Sequence, residues 1–194
     1  MRYACLVYFD PQNVFNQSPE AEAVLAGTPP DAHPGWELVF ARPGVQMVDE
    51  SVRAEPDPDA VRLTPADATE VLDLVTRTDA APFRPRTLEM GTYLGIRRDG
   101  RLIAMAGERF RPPAWTEISA VCTDPAYRGQ GLATRLVRAV SDGIRDSGAT
   151  PFLHTSADNV RAIRLYESLG FRLRRTTAFA LFRSSASHPG LPKS

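Results

Sequence analysis

Apolar positions along this chain follow two spacings, and the alternation between them outlines its architecture from Val61 onward. Thr64-Pro65-Ala66-Asp67 offers a capping hydroxyl, a proline for the first helical position and an acid for the first turn. Val71, Leu72, Leu74 and Val75 then fall on one stripe, which predicts a helix from Pro65 to about Arg77. Pro82 and Pro85 break the connection. Asp99-Gly100 stands between the runs Gly91 to Arg98 and Arg101 to Phe110, a hairpin signal, and Glu117 to Thr123 continues the sheet. The helical spacing returns in Leu132, Leu136, Val137, Val140 and Ile144, with Arg135, Arg138, Asp142 and Arg145 on the other side. Gly148 closes that helix, which begins near Gln130, and Pro151 to Thr155 forms the next strand. Asp158-Asn159 caps a helix that stops at Gly170, and Phe171 to Arg175 and Thr177 to Phe182 make a closing pair of strands. These elements predict an α/β domain with a mixed β-sheet and helices on both faces.

The first sixty residues read differently. Many of the seventeen prolines fall between Pro11 and Pro65, too often for long helices. Two short strands, Leu38 to Ala41 and Val45 to Val48, are expected on either side of a turn at Arg42-Pro43-Gly44, and Asp49 to Asp59 reads as a linker. The chain thus divides into an N-terminal extension or remnant lobe (1–60), a main domain (61–183) and a flexible C-terminal tail (184–194). The extension either covers a pocket of the main domain or pairs two copies as a homodimer.

With 194 residues there is enough chain for one good core. Lysine plus arginine equals aspartate plus glutamate, 23 each, so no global field draws nucleic acid or an acidic membrane surface. The run Ala4 to Phe9 is too short for the apolar part of a signal peptide, and no stretch approaches the ~20 apolar residues of a membrane span. Cys5 and Cys122 form no metal spacing, nor do His33, His154 and His188, so no metal is expected and a reducing cytoplasm fits.

Arg128-Gly129-Gln130-Gly131-Leu132-Ala133 lies where the strand ending at Thr123 gives way to a helix. A helix start leaves about four backbone N–H groups without partners and carries roughly half a positive charge, so it suits a pyrophosphate. Gly129 and Gly131 remove side chains that would hold a ligand off those amides, and Arg128 adds a cation. Leu132-Ala133 replaces the Lys-Ser/Thr of a P-loop, and Thr134 stands where a dinucleotide fold wants Gly or Ala. A second motif follows, Asn159-x-x-Ala162 with Leu165-Tyr166-Glu167 and Leu169-Gly170-Phe171.

Together, over Trp115 to Arg175, the two motifs resemble the acyl-coenzyme A loop and final helix of the GCN5-related N-acetyltransferases (GNAT), most closely the branch that includes glycine N-acyltransferase. The resemblance covers roughly Val61 to Arg183 and implies a GNAT-like fold with acetyl-CoA as co-substrate. It places the coenzyme on Val121, Cys122 and Thr123 of the strand, on Arg128, Gly129, Gln130, Gly131, Leu132, Ala133 and Thr134 of the loop and helix start, and on Asn159 and Ala162. Asn159 serves equally as a plain helix cap. Tyr166 matches the position of a phenol near the coenzyme sulfur, though a core tyrosine would read the same, and Glu117 is a candidate base for the amine, with Glu108 as its rival. His154 reads as a strand residue with a local hydrogen bond rather than a base, Cys122 as a buried free thiol rather than an acyl-carrying nucleophile, and Arg161 and Arg164 as solvated or as contacts to the adenosine phosphate. The expected activity is direct acetyl transfer to the primary amine of a small molecule or amino acid. The alternatives are an acyl-CoA sensor without chemistry and an acetyltransferase for protein N-termini or lysines.

Overall fold

The computed structural model describes residues 5–9, 22–27, 36–80 and 83–184. They fall into two compact units, one of Gln46–Thr155 and Asn159–Arg175, the other of Met1–Val45, Ser156–Asp158 and Thr176–Ser194. Its strands are β1 (Cys5–Phe9), β2 (Glu22–Gly27), β3 (Trp36–Asp49), β4 (Ala60–Leu63), β5 (Tyr93–Arg98), β6 (Arg101–Glu108), β7 (Trp115–Thr123), β8 (Thr150–Ser156) and β9 (Phe171–Ser184). Its helices are α1 (Ala68–Thr78), α2 (Leu132–Asp146) and α3 (Val160–Leu169).

In the larger unit the strands lie in the order β9-β3-β8-β7-β6-β5-β4. β4 to β7 form an antiparallel meander, and β8 then runs parallel to β7. A parallel neighbour cannot be reached by a tight turn, so α2 makes the crossover. The hairpin forms as expected: Arg98 pairs with Arg101, and both Asp99 (φ 51°) and Gly100 (φ 77°) take the left-handed conformation of a two-residue turn.

α1 and α2 bury most of the stripe that their spacing predicts. Val71, Leu74 and Val75 of α1 pack with Leu63, Phe83, Leu88, Tyr93, Leu102, Met105 and Cys122. α2 buries Leu132, Leu136, Val137, Ala139, Val140 and Ile144 and packs on β5, β6 and β7. At about 1.5–3 kcal/mol for each large apolar side chain, this one stripe outweighs any helix cap in fixing where α2 lies. Gly170 ends α3 at φ 103°, and its carbonyl accepts from the amides of Glu50 (3.1 Å) and Ser51 (3.0 Å).

In the smaller unit β1 pairs antiparallel with β2, and β2 with the second half of β9. Three expectations are corrected. Arg42-Pro43-Gly44 is not a turn but the middle of one long strand, β3. The reason is steric: a Cβ on Gly44 would stand 2.7 Å from the Phe179 ring, so the glycine clears space for an aromatic ring. The closing pair of strands is likewise the single strand β9. Finally, Asp49 to Asp59 is not a free linker but is fastened to α2, within a unit that begins at Gln46. Arg135 pairs with Asp57 (2.6 Å) and Asp59 (2.6 Å), Arg138 with Glu55 (2.8 Å) and Arg145 with Asp49 (2.6 Å). The proposed tail beyond Ser184 lies outside the described residues, as do His33 and His188.

Candidate active site

The ladder between β7 and β8 runs from Trp115↔Thr150 to Ile118↔Leu153 and stops, although β7 continues to Thr123 and β8 to Ser156. The two strands part like a fork. On its other side β7 carries a bulge: Gly107 faces Ser119 and Met105 faces Cys122, so Ala120 and Val121 together stand against Ala106 alone. Ala120 takes φ 54°, a left-handed conformation that costs a non-glycine residue energy and reorients the amides beside it.

A cleft of about 550 Å³ opens along this part of β7. Val121, Cys122 and Thr123 form one wall, and Asn159, Ala162 and Tyr166 of α3 form another. Its end is the loop and helix start, with Arg128, Gly129, Gly131, Leu132, Ala133 and Thr134. Asp124 sets that loop: its side chain accepts from Ala126 N (2.9 Å) and pairs with Arg77, whose guanidinium also donates to the Leu102 carbonyl (3.2 Å). Gly129 (φ 78°) and Gly131 (φ 74°) are both left-handed, and a Cβ on either would meet no protein atom within 4 Å. Gly131 is the N-cap of α2 and offers no side chain to the first helical amides. Those N–H groups and the positive end of the helix therefore face the cleft, a site fitted to a diphosphate. The Thr123 hydroxyl, buried and without a hydrogen-bond partner, adds a further polar group at the same wall.

Two predicted residues stand apart from the cleft lining. The Gln130 side chain turns away and accepts from Arg98 (3.1 Å). Glu117 is 1% exposed, and Arg109 grips both its oxygens, Nη2 to Oε1 at 2.8 Å and Nε to Oε2 at 3.0 Å. His154 Nδ1 lies 2.8 Å from Oε1 as well. Burial by itself would raise the pKa of Glu117, but the Arg109 charge and the hydrogen bonds from His154 and Arg109 outweigh it and hold the carboxyl below its usual value. The rival Glu108 accepts from Thr92 N (3.3 Å), pairs with Arg111 and also lies outside the lining.

Tyr166 is 7% exposed and meets Phe171 edge to face, and burial pushes its phenol up to about 12. It stays protonated at neutral pH and keeps a hydrogen to donate. Cys122 is pushed up to about 11, chiefly by burial, so it rests as a thiol and makes a poor nucleophile. Asn159 caps α3, accepting from Ala162 N at 3.1 Å, and lines the cleft too. Arg161 reaches the lining, but Arg164 does not.

Thr78, Asp79, Ala80, Tyr127 and Leu165 also line the cleft and were not anticipated. Leu165 stands three residues from Ala162, a spacing that could have shown it. Thr78 to Ala80 close α1, more than forty residues before Val121, and carry no local signal. Among the described residues no group of three or more His, Cys, Asp or Glu could hold a metal ion, and no helix is long and apolar enough to cross a membrane.

A meander, a parallel strand that forks away and a helix start aimed into the gap define an α/β domain with an open, anion-binding cleft. Comparison with known proteins agrees. A family described as FR47-like protein matches residues 93–180. A crystal structure from Novosphingobium aromaticivorans, assigned to the acetyltransferases of the GNAT family, is 43% identical with a TM-score of 0.79, over 88% of this chain and 77% of that one. The chain belongs to the GNAT family. It is also similar to the N-alpha-acetyltransferase RimI of Mycobacterium tuberculosis, 39% identical over 41% of this chain and 51% of the relative. The mycothiol acetyltransferase of Thermomonospora curvata is 35% identical over 47% of this chain and 30% of the relative. The match thus spans about half of the first of these curated relatives and less of the second.

Proposed function

We propose that the protein transfers an acetyl group from acetyl-CoA directly to a primary amine of a small molecule or amino acid. The observation that carries this reading is the fork beside β7, which joins an open helix start for a diphosphate to a buried phenol along one cleft. In it the first amides of α2, with Arg128 at the rim, hold the diphosphate. The Val121 amide, on the cleft wall beside the bulge, donates to the thioester carbonyl and favours the oxyanion that forms there. Tyr166 donates a hydrogen bond to the departing sulfur. Thiols ionise near pH ~8.5, so full proton transfer from a phenol this hard to ionise would run uphill, and charge stabilisation is what Tyr166 supplies.

Relatives named for mycothiol favour a small molecule, and those named N-alpha-acetyltransferase favour a peptide α-amine as a second reading. The test is thiol release from acetyl-CoA with a panel of small amines, amino acids and alanine-initiated peptides. Tight coenzyme binding without turnover on any of them would turn the reading toward an acyl-CoA sensor.

A further inference from the structure

Resting on that reading, we propose that His154 is the proton acceptor for the amine and that Glu117 acts through it as a positioning residue. The polar chain around His154 has one self-consistent direction. Arg174 Nη1 can only donate, so the oxygen it meets at 3.0 Å is the carbonyl of Gln46. The Gln46 Nε2 must then donate, and it stands 3.0 Å from His154 Nε2, which therefore accepts. The proton is left on Nδ1, which donates to Glu117 Oε1 at 2.8 Å. A carboxylate behind Nδ1–H with a lone pair on Nε2 is the arrangement that prepares an imidazole to take a proton.

Place in the fold agrees. Leu153 is the last residue of β8 paired with β7, so His154 is the first beyond it, where the two strands part. Its side chain is 4% exposed and outside the cleft lining, so an amine reaches Nε2 only by displacing the Gln46 amide. Glu117 is the weaker candidate because Arg109 holds both its oxygens and His154 shares one. Among the groups facing the imidazole are Glu117 of β7 with Arg109 behind it, Gln46 of β3 backed by Arg174 of β9, and the Phe152 ring of β8 at 5.6 Å.

In the step itself the acceptor nitrogen replaces the Gln46 amide at Nε2. His154 takes one proton from the ammonium, and the freed lone pair forms the C–N bond to the acetyl carbonyl. The C–S bond breaks with its electron pair on sulfur. The nitrogen then loses its second proton, sulfur gains one to become the thiol, and the imidazolium returns its own to solvent.

Two measurements on the full chain test this. In ¹⁵N NMR at pH 8, the imidazole signal that disappears in His154→Gln should show Nδ1 protonated and Nε2 bare; the opposite tautomer would overturn the proposal. With the amine panel above, His154→Gln should lower kcat/KM at pH 7 by roughly 10²–10⁴-fold, abolish the acid limb of the pH profile and leave coenzyme affinity unchanged. A variant that keeps the wild-type rate and acid limb overturns the role of His154 alone, whereas a wild type that releases no thiol with any amine sinks the acetyltransferase reading first. Glu117→Gln should shift the acid limb. Because it leaves Arg109 facing a neutral amide and can unfold the chain, the wild-type tautomer stands as the test that needs no variant.

Discussion

Replacing Gly131 and Gly143 by alanine, one at a time, should move stability in opposite directions and separate coenzyme binding from folding. Both sites have open space, since a Cβ at either meets no protein atom within 4 Å. Their backbones differ. Gly131 is left-handed at φ 74°, where alanine pays roughly 1–2 kcal/mol, while Gly143 lies inside α2, where alanine is favoured over glycine by about 0.5–1 kcal/mol. The two variants should therefore lie about 1.5–3 kcal/mol apart, a gap of several degrees in Tm at ~2–4 °C per kcal/mol for a chain of this size.

Only Gly131 lines the cleft. A methyl group there stands between a diphosphate and the first amides of α2, and losing one charge-assisted hydrogen bond costs about 1.5–3 kcal/mol, or roughly 10- to 150-fold in Kd. Urea unfolding reads the first effect, and calorimetric titration with coenzyme A reads the second. Gly131→Ala binding coenzyme within ~threefold of wild type would refute the anion-site argument, since less than 1 kcal/mol would then separate them. Equal stability of the two variants would refute the backbone argument.

Tyr166→Phe should lower kcat by roughly 10- to 100-fold with little change in coenzyme affinity. Since its phenol is pushed up to about 12, no alkaline limb below pH ~10 should vanish in that variant; a limb near pH 8–9 that does vanish would show a phenol titrating there. Gly170→Ala should cost about 2–5 kcal/mol in urea unfolding, because its Cβ would stand 2.6 Å from the Ser51 backbone at a φ of 103°. Asp57→Asn should cost about 1 kcal/mol at pH 7 and almost nothing near pH 2, read by unfolding at both. The sign follows from the direction of the shift: the Arg135 hydrogen bond holds the Asp57 carboxyl below its usual value, so its contribution is complete above the unfolded pKa and is lost as pH falls through the folded one.

What the sequence made legible was local. The helix stripes, the Asp99-Gly100 turn and the glycine-rich loop all declare themselves within a dozen residues, because periodicity and left-handed backbone are properties of short segments. The failures are non-local. Arg42-Pro43-Gly44 has every feature of a turn until Phe179 is brought over Gly44. The acidic run from Asp49 to Asp59 reads as a linker until Arg135, 78 residues from Asp57, and Arg145, 96 residues from Asp49, turn toward it. Those arginines in turn read as solvated for want of a visible partner. Glu117 was singled out by its place before the loop, but its engagement by Arg109 and His154 depends on β8 lying beside β7, which no spacing in the chain reveals.

Two buried ionisable groups at or beside the candidate site are driven apart, and the direction of each suits a different half of an acyl transfer. Glu117 is buried yet held ionised because Arg109 and His154 more than offset its desolvation. Tyr166 is buried and held neutral because desolvation acts on it unopposed. An environment that keeps one group anionic and another protonated across the neutral range is how a single fold supplies acid and base together. In an amine-to-thioester reaction positive charge disappears at nitrogen while negative charge appears at sulfur. The strand side of the fork, with its carboxylate behind His154, favours an arriving ammonium, and the helix side, with a phenol that cannot itself become an anion at neutral pH, favours a departing thiolate. Exchanging the two environments would stabilise the reactants at both ends, so the polarity of the fork, more than the mere presence of an acid and a base, is the property to which the proposed chemistry is tied.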